Sequence, residues 1–215
     1  MERIDAYCER LGPEFWAEPV NALTNAAFLL AAVLMGRRWS EEPLCRALAA
    51  VLFAIGIGSF LFHTLATPWA AAADTLPILG FILLYVYAAH RRIWGQGVGP
   101  SLLFTVLTIP WIALLTPVFA RLPGFAVSSF YWPVPALILL HAWLLRSRAP
   151  EVARGFAVGA GVLAVSLTFR SLDEAVCDAV PVGTHFLWHL LNALMLGWMI
   201  AVLGRASLAA GTRGR

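Results

Sequence analysis

The 215-residue sequence contains no lysine, so its fifteen basic residues are all arginine. Without a lysine amine, the protein cannot hold retinal, pyridoxal phosphate or another partner through a Schiff base. Charged residues are also scarce: 13% of the chain is charged and 60% is hydrophobic, against about 25% and about 45–50% in soluble proteins. The composition therefore indicates an integral membrane protein, in which surplus arginine is an orientation signal rather than a nucleic-acid-binding surface.

Seven apolar stretches approach the roughly 20 residues that a membrane-spanning helix needs. Short polar or Pro/Gly segments separate them, so we predict an all-α integral membrane protein with a seven-transmembrane helix bundle. One domain would cover 1–215, with an acidic segment at 1–18 and a tail at 205–215. The predicted spans are 19–35, 44–65, 75–90, 100–120, 128–145, 155–169 and 184–203.

The arginines predict the orientation, because positively charged short loops stay in the cytoplasm. Eleven of them fall after spans one, three and five or in the tail, whereas four (Arg3, Arg10, Arg121 and Arg170) fall on the opposite side. We therefore expect the N-terminus outside and the C-terminus in the cytoplasm. No obligate protein partner is evident from the sequence.

This topology brings five polar residues to one membrane depth near the outer side. Ser59 and His63 lie near the outer end of span two, Asp74 lies at the start of span three, and His185 and His189 begin span seven. Ionisable residues within spans are costly in hydrocarbon and are functional candidates by default. The convergence indicates a shared site.

Two histidines four residues apart project from one helix face, as in helices that give two nitrogen ligands to zinc. His63 would complete three protein ligands, the composition of a catalytic zinc site. Asp74 would take a proton from a water held there, and Ser59 would stand beside that water. The simpler alternatives are hydrogen-bonded core histidines, a serine bonded to its own helix and an Asp74 that caps a helix N-terminus.

The segment before the first span carries a second polar group. The acids Asp5, Glu9, Glu14 and Glu18 lie in an irregular stretch whose oxygens suit a hard cation such as calcium, although a solvated acidic surface is the alternative. Cys8 and Cys177 both fall outside in the predicted topology, where a disulfide between them would tie this segment to the loop before span seven.

The motifs of the chain resemble the alkaline ceramidase family, within a superfamily of seven-span hydrolases that includes adiponectin-receptor-like proteins. The resemblance rests on DAYCE and AEPVNALTN near the start, GIGSFLFHTL and ADTLP in the middle, and Cys177 followed by GTHFLWHLLN near the end. The short loops and all-arginine basic set look like a bacterial member, which implies an inner-membrane protein with its site facing the periplasm.

The resemblance implies a metal-dependent amidohydrolase that cleaves the N-acyl bond of ceramide, or of a related N-acyl lipid, to a fatty acid and a long-chain amine. It implies Zn2+ on His63, His185 and His189, with Asp74 as the base and Ser59 stabilising the oxyanion. It also implies Ca2+ near the first span and a disulfide between Cys8 and Cys177. The calcium ligands would be Asp5, Glu9 and Glu18, with backbone carbonyls of Tyr7 and Leu11.

The calcium motif departs from the family pattern, because the run from Asp5 to Glu9 is one residue longer and Leu11 stands where an asparagine is common.

Two other classes of function remain as alternatives to the enzyme. A seven-helix lipid receptor or binding protein would use zinc only structurally. A transporter would need polar residues across the whole bilayer, whereas those found here gather on one side.

Overall fold

The computed structural model describes residues 3–213, and every regular element among these residues is helical. Two short 3₁₀ turns, Ala126–Ser128 and Glu174–Val176, lie in the connections before the helices that begin at Pro133 and His185. The eight α-helices are α1 Pro19–Thr24, α2 Ala26–Arg38, α3 Pro43–Leu65, α4 Pro68–Arg92, α5 Val98–Ala120, α6 Pro133–Leu145, α7 Pro150–Leu172 and α8 His185–Arg213.

Within the described residues, six helical stretches are long and apolar enough to cross a membrane, which fits an integral membrane protein. The first of them, Pro19–Arg38, combines α1 and α2. The other five are α3, α4, α5, α7 and the part of α8 up to Ala209. The helix α6 is apolar but has only 13 residues. The predicted count of seven spans and the orientation of the termini therefore stay predictions.

Proline sets several helix starts, because its fixed φ suits the first helical turn and its missing N–H is not needed there. The predicted fifth span begins at 128, but the regular helix begins at Pro133 and ends at Leu145. The predicted third span begins at 75, whereas α4 begins at Pro68. Asp74 therefore lies inside α4 rather than at its N-cap, which is Thr67. The N-cap alternative for Asp74 is wrong.

The helices pack in chain order, and α8 closes the arrangement by contacting α2 and α3 as well as α7. The buried core between them includes Phe28, Leu48, Leu52, Phe156 and Leu203. In contrast, α5 keeps most of its side chains at the surface. As a result, α3 and α8 lie side by side near the centre of the bundle, and these are the two helices that carry the histidines.

The helix α8 continues to Arg213, through most of the segment predicted as a tail. Residues 1, 2, 214 and 215 lie outside the described part of the chain. The segment before α1 is irregular, as expected, but it is not separate from the bundle. The backbone N–H of Ile4 donates to the carbonyl oxygen of Ala66 at 2.7 Å, just beyond the end of α3.

Candidate metal and catalytic site

The centre of the site is a cluster of three buried histidines. His63 comes from the last turn of α3, and His185 and His189 come from the first two turns of α8. One ring nitrogen from each lies within 4.8 Å of the others. The spacing of four residues puts both α8 rings on one helix face. Among residues 3–213, no other group of histidine, cysteine and carboxylate side chains has this geometry.

Each histidine has one buried ring nitrogen without a hydrogen-bond partner among the described residues: Nε2 of His63, Nδ1 of His185 and Nε2 of His189. Unpaired buried polar atoms are costly and rare. Nitrogen donors are ligands that zinc accepts readily, and three of them leave a position open for water or substrate. The donor set therefore fits a zinc ion.

The opposite ring nitrogens of two histidines have partners that fix the ring orientation. Nδ1 of His63 lies 2.6 Å from Oε2 of Glu18, and Nδ1 of His189 lies 2.9 Å from the hydroxyl of Thr24. Outer partners of this kind hold metal-ligating histidines in the correct tautomer. Both partners come from the short region around α1, so this region supports the histidine cluster.

Glu18 is itself held by Arg10. Nε of Arg10 lies 2.5 Å from Oε1 of Glu18, and both side chains are buried. The second nitrogen partner of Oε2 is Nδ2 of Asn21, at 3.2 Å. Burial opposes ionisation of Glu18, but the hydrogen bond to His63 and the charge of Arg10 outweigh it, so the pKa of this carboxyl is lowered. Glu18 therefore stays an anion in a buried position.

Ser59 and Asp74 lie together beside the histidines. Ser59 stands one turn before His63 on α3, and its side chain hydrogen-bonds that of Asp74 on α4. The carboxylate of Asp74 also interacts electrostatically with His63. Close packing of α3 on α4 brings the two groups together, because Gly58 lets the α3 backbone approach Ala73. A carboxylate, a hydroxyl and a candidate metal site are thereby adjacent.

The N-terminal segment covers the other side of the cluster. The ring of Tyr7 stacks on that of His185 with centroids 3.7 Å apart, and burial raises the pKa of Tyr7. Arg170 of α7 hydrogen-bonds Tyr7 and lies over the ring of Tyr131, 5.2 Å from its centroid. The site therefore has aromatic walls with one partly buried arginine nearby.

Asp173 connects the start of α8 to the N-terminal segment. Its Oδ1 accepts hydrogen bonds from the backbone N–H groups of Thr184 and His185, at 2.6 and 2.8 Å. Its Oδ2 accepts one from the N–H of Cys8 at 3.0 Å. The structure joins Cys8 to Cys177 in a disulfide at the same place. Together these bonds fix His185 and the segment that carries Tyr7.

Among the described residues, the carboxylates predicted to bind calcium form no group with metal-binding geometry. Both oxygens of Glu9 accept backbone N–H groups, from Val20 at 2.6 Å and from Asn21 at 2.8 Å, and burial raises the pKa of this carboxyl. Asp5 is exposed, and Leu11 is 92% exposed. Glu18 is paired to Arg10. Two of the three carboxylates therefore have other partners and the third lies at the surface, and this arrangement does not fit a calcium ion.

An apolar cavity of about 80 Å³ begins one turn below Asp74 and continues between the helices. On α4 its lining extends from Ile78 to Ala89, a rise of roughly 16 Å at about 1.5 Å per residue. Tyr131 and Trp188 line the end nearer to the histidines, and His141 lines the other part. Because its lining is almost entirely apolar, the cavity suits hydrocarbon rather than polar groups.

Sequence reasoning missed Arg10, Thr24, Asp173 and Arg170 as site residues. Arg10 carried only an orientation signal in the sequence, and its two partners at the site, Glu18 and His63, are eight and 53 residues away. Asp173 precedes the histidine pair by 12 residues and bonds Cys8 across 165 residues. The one signal in the sequence was that Arg170 and Asp173 are charged residues next to the predicted span 155–169.

The fold and this site define a helical, membrane-type bundle with a buried three-histidine cluster of metal-binding geometry. The ceramidase family model matches residues 6–213, and the chain belongs to this family. The prediction of an alkaline ceramidase family member is confirmed. Family membership implies a hydrolase of the ceramide amidohydrolase type, associated with the membrane and acting on a lipid. No curated protein matches the chain.

Proposed function

We propose that this protein is a zinc-dependent intramembrane amidase that hydrolyses the N-acyl bond of ceramide or of a related N-acyl lipid. The observation that carries the proposal is the set of three unpaired, buried imidazole nitrogens beside the hydrogen-bonded pair Ser59 and Asp74. The reaction consumes one water and gives a carboxylic acid and an amine. Family membership supports the same reaction class.

His63, His185 and His189 would hold the zinc. Bound there, zinc would polarise the amide carbonyl and lower the pKa of a water molecule. Glu18 and Thr24 keep two of the rings oriented, because each bonds the nitrogen that faces away from the cluster. Tyr7 limits the rotation of the third ring by stacking on it.

Asp74 is proposed as the general base and then the general acid. Its carboxylate would take a proton from the attacking water and pass it to the leaving amine nitrogen as the C–N bond breaks. Ser59, already hydrogen-bonded to Asp74, would donate a hydrogen bond to the carbonyl oxygen as negative charge develops there. Both roles need a short separation between the two side chains, which the α3–α4 contact provides.

The apolar cavity below Asp74 supports a lipid substrate, because its lining is almost entirely hydrocarbon and aromatic. One chain of the lipid would lie in this cavity while the amide remains at the histidines. In the predicted orientation the site faces the periplasm, and the substrate would enter from the outer leaflet. An intramembrane site of this kind is reached from hydrocarbon more directly than from water.

The test is a product assay with zinc-loaded protein in detergent. Mass spectrometry would measure free fatty acid and free amine released from a panel of N-acyl lipids, ceramide included. We expect release by the unmodified protein and a loss of about 100-fold or more in Asp74→Asn. The matched control is Asp178→Asn, since Asp178 is exposed in the loop before α8. This control should keep full activity.

Zinc content separates the two roles in the site. Asp74→Asn should keep one zinc per chain, whereas His63→Ala should lose it because only two of the three ligands remain. Full activity in Asp74→Asn would exclude Asp74 as the base. If zinc-loaded protein released no product from any lipid, the amidase proposal would be wrong and the receptor alternative would take its place.

A further inference from the structure

Arg10 is the most deeply buried arginine among the described residues. The proposed reaction gives it no role. Its side chain is 2% exposed, and that of its partner Glu18 is 3% exposed. A buried carboxylate with no partner is very costly, whereas a paired and hydrogen-bonded one is tolerated. Glu18 in turn bonds His63, one of the three candidate zinc ligands. Arg10 therefore lies one side chain away from the histidine cluster.

All three nitrogens of the Arg10 guanidinium have partners. Nε bonds Glu18 at 2.5 Å, Nη1 donates to the carbonyl oxygen of Gly12 at 3.2 Å, and Nη2 donates to that of His63 at 2.9 Å. The carbonyl of His63 belongs to the last turn of α3, where backbone acceptors have no helical donor. Arg10 thus binds both the backbone of His63 and the carboxylate that orients its ring.

These oxygens are the kind that a hard divalent cation would gather: a carboxylate and two backbone carbonyls. Here one guanidinium binds all three. It brings one positive charge to the one negative charge of Glu18, so the buried pair is neutral without an added ion. The carboxylate of Glu9, the other nearby acid, caps α1 and is not available.

We propose that Arg10 is a positioning residue that fixes Glu18 against His63, in the place where a bound calcium ion would otherwise do so. The protein therefore needs no calcium for this part of the site. The inference rests on the proposed zinc site, because its effect is on how His63 binds the metal.

One arm of the test uses the unmodified, zinc-loaded protein in detergent. Its thermal unfolding is measured in three buffers. The first contains neither calcium nor magnesium, the second contains calcium, and the third contains magnesium at the same concentration; the bound zinc is kept in all three. We expect the same unfolding temperature in all three conditions, because the carboxylates of Glu9 and Glu18 are already bonded to protein donors. A saturable rise in unfolding temperature with calcium alone would overturn the inference.

The second arm measures zinc affinity by competition with a chelator, without any assay of turnover. We expect Arg10→Gln to weaken zinc binding about 10- to 100-fold, the usual cost of removing an outer partner of a metal ligand. Arg10→Lys should recover part of this loss, since an ammonium keeps the charge but lacks the fork of donors. The matched control is Arg3→Gln in the same segment, where Arg3 is exposed; its zinc affinity should not change.

The outcomes separate this inference from the proposed function. An unmodified protein that binds no zinc would defeat the zinc-dependent function itself. If the unmodified protein binds zinc and folded Arg10→Gln binds it equally well, only the role of Arg10 is wrong. Should Arg10→Gln fail to fold, Arg10→Lys replaces it, and zinc affinity in that variant equal to that of the unmodified protein would then overturn the role.

Discussion

Gly58 of α3 packs directly against Ala73 of α4, so that a β carbon at position 58 would overlap the carbonyl oxygen of Ala73. The neighbours of these two residues are Ser59 and Asp74, the proposed oxyanion donor and base. Gly58→Ala should therefore push the two helices apart at the site. We expect the free energy of unfolding to fall by about 1–3 kcal/mol. We also expect the fractional loss of amidase activity to exceed the fractional loss of unfolding free energy, because the substitution acts next to Ser59 and Asp74.

Gly80→Ala is the control for this substitution. Gly80 lies on α4, and a β carbon there meets no atom within 4 Å. Alanine is a better helix former than glycine by roughly 0.5–1 kcal/mol, so this variant should be as stable as the unmodified protein or slightly more so. Thermal unfolding and product release would be measured for both variants. Equal behaviour of the two would mean that the close approach at Gly58 is not needed.

Thr24 orients His189 through a contact of 2.9 Å to Nδ1. Thr24→Val keeps the shape of the side chain but removes its oxygen, so the ring loses the partner that fixes its tautomer. We expect zinc affinity to fall by about 10-fold or more. Thr168→Val serves for comparison, because Thr168 is exposed and bonds only its own helix at Ala164. Unchanged affinity in Thr24→Val would contradict the orienting role.

Asp173 accepts three backbone N–H groups and is 1% exposed. Asp173→Ala would leave those donors buried without a partner, at a cost of about 1–3 kcal/mol for each group that water cannot reach. We expect a clearly lower unfolding temperature, together with faster proteolysis of the segment before α1. Asp178→Ala, at an exposed position in the same loop, should behave as the unmodified protein does.

The disulfide between Cys8 and Cys177 can be tested by alkylation. The remaining cysteine, Cys45, is free and buried. Protein denatured without reductant should therefore gain one alkyl group, and protein denatured after reduction should gain three. Mass spectrometry counts the groups directly. Three alkyl groups without reductant would show that the bridge does not form in the purified protein.

Hydropathy was sufficient to predict the helices, because each span must satisfy its own backbone in hydrocarbon and needs a long apolar stretch. Hydropathy predicted the first and last residues of the helices less accurately. Helix α4 begins at Pro68 rather than near Thr75, since Pro68 and the alanines that follow form a first helical turn of modest hydropathy. That shift decides whether Asp74 is a cap or an interior residue.

The histidine cluster was predictable because alternating helix directions bring the C-terminal end of α3 and the N-terminal end of α8 to the same depth. The partners of those histidines were not. Glu18 was expected among calcium ligands, but its contact with His63 depends on where an irregular segment folds, and no periodic pattern encodes that path. Arg10 and Asp173 act through single contacts between distant parts of the chain, which only the assembled bundle reveals.

The two helices that supply the histidines come from opposite halves of the chain, with more than 100 residues between His63 and His185. During synthesis the N-terminal part of a protein emerges and folds first. His63 and its partner Glu18 are therefore synthesised well before α8 leaves the ribosome. Assembly of the cluster is consequently among the last steps of biogenesis, and a chain that stops before α8 carries no site at all.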